Sequence, residues 1–520
     1  MRLTRLGVID LGSNSGRLIL ALRQIHGIPL IVDESQVSLR LAEGLQQTGE
    51  IGVPAIERAR QALRGFKSAA ERFGVEQLIV AGTSALRDAS NGAAVIEQLQ
   101  RDAGVEITLL SGEREAYYGY LAAVNSLPIF TGVVLDLGGG SLELSFVKDR
   151  ICERAVSLPL GVLRLSERFL TSDPPSSSQL TDFKAHVIKS LRRAGVRKQK
   201  DVLLAGSGGT VRNLAKLVRK NNGAHSPRLH GFVVEGSQLR SLSRALAAQT
   251  VAQRRRIAGL PTDRADIIVG GAVVVQAVME ALGARALLVC GHGIREGIAE
   301  EAFREGKHAL VRDVRRAGVD VFRERYVTGA LRQFSNEDVG GLVTAGHHPS
   351  DGVEPLALRL LDKLCGVLPA SDADRKLVSV AAALCDVGRA ISLYRWPEHV
   401  AYLLGNGDLT GFTQPEAAAV AAVIGAQTGQ RLDSKDGASG PLDGDSVRIG
   451  QLGMVVGLAR WLRRVGVDEE TPISILTPAG SLIVVLPPGL PVLHDEWGEG
   501  LERGCRRYFE RELLLTSVGD

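Results

Sequence analysis

The sequence predicts an α/β fold in its N-terminal part, followed by a helical region and a small α+β segment. Short apolar strands such as Gln77–Ala81 alternate with helical stretches, which is the pattern of α/β proteins. Residues Gly7–Ser15 (GVIDLGSNS) are echoed 126 residues later by Val133–Ser141 (VVLDLGGGS). From Phe303 to Val321 the alternation gives way to long helical stretches. We therefore expect two similar α/β domains that face each other across a cleft.

Turn and stop residues set the first boundaries. Val8–Ile9 belongs to a strand, and the apolar pattern resumes at Leu18–Ile25 after a Gly-Ser-Asn-Ser turn. Pro54 begins a helix and Gly74 ends it. Its apolar stripe consists of Ile56, Ala59, Leu63, Phe66, Ala70 and Phe73. Gln77–Ala81 is the next buried strand.

Later segments divide the chain further. Thr171–Ser178 (TSDPPSSS) has the composition of a loop, and Arg431–Asp445 is a second break. Ile473–Leu476 and Leu482–Leu486 are predicted strands, followed by an amphipathic terminal helix. We predict α/β domains over 1–125 and 126–304, a helical domain over 305–435 and an α+β domain over 436–520.

Composition favours a folded, cytoplasmic protein. Of 520 residues, 45% are apolar and 23% charged, which is close to the globular average. No stretch reaches the ~18 apolar residues of a membrane helix, and Asp10 comes too early for a secretory signal. The five scattered cysteines form no Cys-x-x-Cys pair, which argues against a disulfide framework or a zinc ribbon. We expect no membrane partner.

Charge is distributed unevenly. A net charge of +4 and an aromatic content of 4% do not favour nucleic-acid binding. Between Lys189 and Arg228, however, eleven Lys and Arg residues accompany a single acid, Asp201. This basic run is either a polyanion-binding surface or a solvated helix face.

Three loops rich in glycine and hydroxyl groups follow apolar strands, at residues 12–15, 138–141 and 206–210. Glycine lets the backbone approach a ligand closely, and consecutive N–H groups form an anion nest. The loops match neither a P-loop nor a dinucleotide-binding fingerprint. They predict a phosphate-binding cleft.

Carboxylates lie beside these loops. Asp10 and Asp136 each end an apolar strand, and Glu143 follows soon after. Hard oxygen ligands beside phosphate nests suit Mg²⁺, although either Asp alone could be a turn residue. Glu113 and Glu115 begin a helix, where an acid either favours the helix dipole or acts as a base near phosphate.

Together these motifs resemble the exopolyphosphatase/guanosine pentaphosphate phosphohydrolase (Ppx/GppA) family. The resemblance implies two actin-like (ASKHA, ribonuclease-H-like) domains around the cleft. The matching segments are Gly7–Leu18, Gly82–Asn91, Leu110–Ala116, Asp136–Ser141 with Glu143, Gly206–Thr210 and Gly293–Gly297. Leu142 departs from the family, which commonly has Thr there.

The resemblance also implies roles for individual residues. Glu115, rather than Glu113, becomes the catalytic glutamate. Mg²⁺ or Mn²⁺ is expected at Asp136, Glu143 and Asp10. Phosphate contacts are expected from Gly12, Ser13, Asn14, Ser15, Arg17, Thr83, Arg87, Gly138, Gly139, Gly140, Ser141, Gly208 and Gly209.

The implied activity is release of terminal orthophosphate from inorganic polyphosphate by metal-assisted in-line attack of water. One alternative is cleavage of pppGpp, and others are an ATP-dependent kinase or ATPase of the same fold and a non-enzymatic polyphosphate-binding scaffold. Expected partners are therefore polyphosphate, with pppGpp as a second candidate, and a homodimer is an arrangement to test.

Residues beyond 310 resemble the family's helical HD-type domain, but the metal ligands are missing. Gly352 and Cys385 stand where histidines are expected, and Gln427 lies near the place of a third. Asp386 and His399 alone do not make a binuclear site. We expect a structural or substrate-guiding role.

Overall fold

The computed structural model describes residues 3–221, 228–304, 309–328, 351–392, 394–429, 446–490 and 496–517. The predicted break at Arg431–Asp445 and residues 222–227 of the basic run lie outside them. The chain divides into two compact units, one of residues 1–224 and 229–314 and the other of residues 225–228 and 315–520.

The first unit begins with a five-stranded sheet and its helices. The strands are β1 (Arg5–Leu11), β2 (Ser15–Arg23), β3 (Pro29–Ser38), β4 (Gln77–Gly82) and β5 (Thr108–Leu109). The helices are α1 (Leu45–Thr48), α2 (Val53–Phe73), α3 (Ser84–Asp88), α4 (Gly92–Ala103) and α5 (Gly112–Val124). The strand order is β3-β2-β1-β4-β5.

A six-stranded sheet follows in the same unit. Its strands are β6 (Gly132–Leu137), β7 (Leu142–Lys148), β8 (Ile151–Leu158), β9 (Leu204–Ser207), β10 (Val233–Glu235) and β11 (Ala286–Val289). The helices are α6 (Val162–Phe169), α7 (Ser177–Arg193), α8 (Gly209–Asn221), α9 (Gly236–Ala247), α10 (Val251–Arg254), α11 (Ile268–Leu282) and α12 (Ile294–Phe303). The order is β10-β11-β9-β6-β7-β8.

The two sheets share one topology. In each, an antiparallel three-stranded meander (β1-β2-β3 and β6-β7-β8) continues into two parallel strands (β4 and β5; β9 and β11). The prediction of α/β architecture is confirmed, and the duplication agrees with the two actin-like domains that the resemblance implies. Parallel strands expose their carboxyl ends at one edge, where ligand sites form.

Helix α2 shows how the sequence pattern becomes packing. It carries proline in its first turn, and Gly74 ends it in the left-handed conformation with φ 72°. Ala59, Leu63, Phe66 and Ala70 of the predicted stripe are buried. The predicted helix and its stop are confirmed.

The second unit is mainly helical. Its helices are α13 (Val314–Arg323), α14 (Val353–Lys363), α15 (Asp372–Leu384), α16 (Trp396–Asn406), α17 (Gln414–Ala426), α18 (Ser446–Arg464) and α19 (Glu496–Phe509), and a π-helical turn spans Glu324–Thr328. A sheet of order β12-β13-β14 is formed by β12 (Ser474–Leu476), β13 (Ser481–Leu486) and β14 (Glu512–Ser517).

Two segments differ from the sequence-based expectation. The predicted loop at Thr171–Ser178 ends in a capping box in which Ser176 begins α7, so its last residues are helical. Strand β14 was not predicted; Glu510, with φ 55°, follows the end of α19, and the chain returns along β13. Within the described ranges, no helix is long and apolar enough to cross a membrane.

The positions expected to hold metal in the helical region have other roles. Gly352 has φ 83°, and a Cβ there would lie 3.0 Å from Arg463 Nε. Burial raises the pKa of the Cys385 thiol to about 12, so it stays protonated. Asp386 is 2% exposed and forms an ion pair with Arg460. The Arg460 guanidinium lies over the rings of Trp396 and Trp497, at 4.1 and 4.6 Å from their centroids.

The Asp386–Arg460 pair is expected to stabilise the second unit, because removal of one partner leaves a buried charge unpaired. Arg460→Met should lower the free energy of unfolding by about 3–5 kcal/mol, and Asp386→Leu/Arg460→Met should recover part of the loss. The three tryptophans, at 396, 461 and 497, lie in this unit, so tryptophan fluorescence during urea unfolding reports on it.

The matched control is Arg506→Met, which removes an exposed arginine paired with Glu512 at 3.0 Å. It should cost less than about 1 kcal/mol. Equal losses for Arg460→Met and Arg506→Met would contradict a stabilising role for the buried pair.

Candidate active site

A pocket lies at the carboxyl ends of β1, β6, β9 and β11, where the glycine-rich loops of both sheets meet. All of the predicted phosphate- and metal-binding residues except Arg87 line it, together with Glu115. Sequence reasoning assigned no role to the other lining residues, which are Ser84, Leu137, Arg212, Arg264, Gly293, Ile294, Arg295 and Glu296.

The first two loops are equivalent hairpin turns. The Gly12 amide donates to Ser15 O at 3.1 Å, and the Gly138 amide donates to Ser141 O at 3.0 Å. The second turn packs against both the first turn and α3, since a Cβ on Gly140 would lie 2.7 Å from Ser13 Oγ and 2.1 Å from Ser84 Oγ. Glycine at 140 is therefore required for the contact between the two halves of the pocket.

Helix α6 fixes the second loop. The amides of Gly161, Val162 and Leu163 donate to the carbonyls of residues 140, 138 and 139 at 3.2, 3.0 and 2.9 Å. Because these carbonyls are engaged with the helix, the loop does not present them to an anion in the pocket.

The third loop leads into α8. Gly208 has φ 96°, and a Cβ there would lie 2.5 Å from Leu137 O, so two separate constraints require glycine. Gly209 then begins a 13-residue helix. A helix N-terminus offers unpaired N–H groups and the positive end of the helix dipole, which together favour phosphate.

The carboxylates occupy equivalent positions with different partners. Asp10 on β1 lies opposite Arg17 on β2, whereas Asp136 on β6 lies opposite Glu143 on β7. The Cβ atoms of cross-strand neighbours are about 5 Å apart, so their charges interact. Asp10 and Arg17 carry opposite charges and attract each other, whereas Asp136 and Glu143 carry like charges and repel each other. Excess negative charge therefore collects at Asp136 and Glu143.

Burial perturbs these acids. It raises the pKa of Asp10 to about 6, against the opposing effect of Arg295 and Arg17. It also raises the pKa of Asp136 and, together with the charges of Glu115 and Asp136, that of Glu143. Among the described residues, buried Asp10 Oδ1 has no hydrogen-bond partner. A cation at this end of the pocket would relieve these costs.

Four arginines supply the opposite charge. Arg17, Arg212, Arg264 and Arg295 all line the pocket. Burial and the charges of the other three lower the pKa of Arg17 to about 9. Four cations that line one pocket, two of them buried, indicate a site for an anion with several charges.

The signals for the three unassigned arginines differ. Arg212 belongs to the basic run and Arg295 to the Gly293–Gly297 motif, but nothing around Arg264 marks it in the sequence.

Glu296 accepts a hydrogen bond from the Gly293 amide at 2.7 Å, and its carboxylate lies 3.7 Å from the Arg295 guanidinium. Burial tends to raise the pKa of Glu296, but the charges of Arg295 and His292 and the hydrogen bond from the Gly293 amide together lower it.

Glu115 and Glu113 lie in different surroundings. Glu113 is exposed, whereas Glu115 is 3% exposed and lines the pocket. One turn further along α5, Gly119 lies against Asp136, since a Cβ at Gly119 would be 3.5 Å from Asp136 Cβ. Burial raises the pKa of Glu115 to about 7, and Arg87 opposes the rise.

Arg87 contacts Glu115 rather than the pocket. Its Nη1 donates to Glu115 Oε1 and, at 2.8 Å, to Leu110 O. This geometry favours a positioning role for Arg87, in place of the phosphate contact that the resemblance implies.

Leu142, the departure from the family pattern, is fully buried in β7. It belongs to the main apolar core of the first unit, with Leu137 and Leu160. It therefore contributes packing, and the loop before it keeps the same turn as the first loop.

Phosphate loops, buried acids and buried arginines around one pocket define a phosphate-binding α/β protein. The profile of the Ppx/GppA phosphatase family matches residues 19–304, and that of domain III of these phosphatases matches residues 334–471. The chain belongs to the Ppx/GppA phosphatase family.

Relatives and solved structures agree with this membership. Exopolyphosphatase 1 of Mycobacterium tuberculosis is 33% identical over 303 residues, which cover 56% of this chain and 87% of the relative. The structure of an Aquifex aeolicus family member is 29% identical, covers 58% of this chain and 99% of its own, and has a TM-score of 0.51. An exopolyphosphatase from Cytophaga hutchinsonii is 23% identical, covers 58% of this chain and 98% of its own, and with a TM-score of 0.54 shares the fold.

Substitution of Glu115 and of Glu113, one at a time, shows which of the two is the catalytic base. Glu115→Gln should lower kcat by about 10²–10⁴-fold, because the amide keeps the size of the side chain but cannot accept a proton. Glu113→Gln is the matched control and should keep near wild-type kcat. Phosphate release measures both, and the reverse ranking would assign the role to Glu113.

Arg87→Met should lower kcat by about 10–100-fold with little change in KM, because it removes a charge-assisted hydrogen bond to Glu115 but no pocket-lining group. Arg264→Met, which alters the lining, should chiefly raise KM. If Arg87→Met instead raises KM at constant kcat, Arg87 binds substrate phosphate directly.

Proposed function

We propose that this chain is an exopolyphosphatase, which releases terminal orthophosphate from inorganic polyphosphate. The observation that carries the proposal is the union of Glu115 with three glycine-rich loops and four arginines in one pocket. Among the described lining residues, only Leu137 and Ile294 are large and apolar, so the pocket suits a chain of phosphates better than a nucleobase.

The chemistry follows from these positions. The arginines and loop N–H groups bind the terminal phosphates and neutralise charge that develops on the transferring group. Glu115, with its pKa raised to about 7 by burial, accepts a proton from the attacking water near neutral pH. The leaving polyphosphate is a stable anion, so no strong general acid is required.

Divalent metal is part of the proposal. The described residues contain no group of three acidic, Cys or His side chains that could hold a metal by themselves. Mg²⁺ nevertheless suits Asp136 and Glu143, because it commonly takes one or two carboxylates and completes its shell with waters and substrate phosphates. Asp10, whose buried Oδ1 has no hydrogen-bond partner among the described residues, would be the third residue to hold the ion. The bound metal would supply charge neutralisation at the phosphate.

Several finer assignments belong to the same proposal. The four domain bounds predicted from the sequence and a degenerate HD-like helical domain remain parts of the proposal. The match of domain III to residues 334–471 supports a family domain in this region and extends across the proposed boundary at 435/436. A cytoplasmic location, a homodimer and action on pppGpp are further parts to test.

The test compares phosphate release from polyphosphate, pppGpp and ATP at equal phosphate concentration. We expect kcat/KM for polyphosphate to be the largest by about 10-fold or more, since a guanosine or adenosine would gain little from this lining. Glu115→Gln controls for contaminating phosphatases. EDTA-treated protein should release no phosphate until Mg²⁺ is returned. A higher kcat/KM for pppGpp than for polyphosphate would show that pppGpp, not polyphosphate, is the preferred substrate.

A further inference from the structure

The basic run separates into two parts in the structure. Arg212 lines the pocket, but the cations of Lys189–Lys200 lie on the last turns of α7 and in the turn after it. That turn leads into β9 at its amino end, Leu204, whereas the phosphate loop follows its carboxyl end at Gly208.

Hydrogen bonds place this turn at the far edge of the sheet. The Gln199 amide donates to Leu282 O at the end of α11, and the Val133 amide at the start of β6 donates to Leu203 O, both at 2.8 Å. Strand β6 is 6 residues long, which corresponds to about 20 Å. The turn is therefore separated from the pocket by about one strand length.

Six cations, here called the basic surface, are exposed at this edge: Lys189, Arg192, Arg193, Arg197, Lys198 and Lys200. Nearby acids are engaged elsewhere, Glu280 with Lys184 at 2.5 Å and Asp201 with Arg285 at 4.0 Å. Within the described part of the chain, none of the six has an acidic partner. Burial, followed by the charges of Arg168, Arg193 and Lys189, lowers the pKa of His186.

Capping of α7 does not account for the whole surface. Arg197 Nη1 donates to Arg192 O at 2.8 Å, and Arg154 Nη1 donates to Gly195 O at 3.4 Å, so these two arginines satisfy the end of the helix. Lys189, Arg192 and Arg193 instead border a shallow groove with Ala185 and Ile188.

We propose that the basic surface is a second binding site for inorganic polyphosphate, remote from the catalytic pocket; this inference rests on the proposed function. Residues 189–200 contain no aromatic side chain on which a base could stack, which favours a phosphate chain over a nucleic acid. A chain long enough to reach both sites binds the second one intramolecularly, which raises its overall affinity. A short chain occupies the pocket alone.

The experiment measures binding to the full chain in a Glu115→Gln background, so that the polymer is not hydrolysed. The test variant is Lys189→Gln/Arg192→Gln/Arg193→Gln. The control, with the same change in charge, is Arg101→Gln/Lys148→Gln/Arg244→Gln, at exposed cations elsewhere in the first unit. The ligands are long-chain polyphosphate and tripolyphosphate, over a range of salt concentrations.

We expect the test variant to bind long chains about 10-fold or more weakly at low salt. The slope of log affinity against log salt should fall by about 2, as three lost phosphate contacts predict. Tripolyphosphate affinity should be unchanged, and the control should match its parent. Equal long-chain affinity for the test variant and the control would overturn the site.

Two further outcomes are informative. Binding of single-stranded RNA is measured with RNA and polyphosphate of equal total charge. If the parent binds RNA more tightly than polyphosphate, and the test variant loses affinity for both equally, the surface binds nucleic acid and the proposal is overturned. Phosphate release by the wild-type chain is measured separately. If the wild-type chain releases no phosphate but long chains still bind through the basic surface, the proposed activity is wrong and the second binding site is supported.

Discussion

Buried charge that the protein does not balance is the constraint on which the pocket depends. Asp10 has Arg17 as its cross-strand neighbour, but the equivalent neighbour of Asp136 is another acid, Glu143. On the other side, burial and the charges of Arg212, Arg295 and Arg264 lower the pKa of Arg17. In the proposed function, a phosphate chain that brings a cation with it would neutralise both excesses and complete the electrostatics of the site.

This charge can be concentrated only because the two sheets approach closely. Gly140 lies against Ser84, and a Cβ on Gly161 would be 2.1 Å from Gly140 C. A side chain at 140 would displace the second turn from Ser13 and Ser84, and one at 161 would displace the start of α6 from the second turn. Helix α5 packs on Asp136 through Gly119, and Glu115, one turn earlier in α5, lines the same pocket.

The helical unit also contains a buried acid, but there an arginine of the protein balances its charge. Asp386, the acid that the resemblance to an HD-type domain would place at a metal site, is paired with Arg460, and two tryptophan rings cover the guanidinium. Cys385 is buried and protonated. A buried acid that is paired with arginine needs no cation, which agrees with a structural role for this region.

The sequence by itself determined the α/β class, the duplicated strand-turn motif, helix α2 and the three phosphate loops, because apolar periodicity and glycine placement are local. It also placed Asp10, Asp136 and Glu143 beside the loops. Only the tertiary structure decided that Glu115 is buried while Glu113 is exposed, and that Arg87 reaches Glu115. The position of Arg264 in the pocket, and the separation of residues 189–200 of the basic run from that pocket, likewise depend on which ends of distant strands lie at the same edge of a sheet. Such proximity arises from sheet order and packing across more than a hundred residues, which no local pattern encodes.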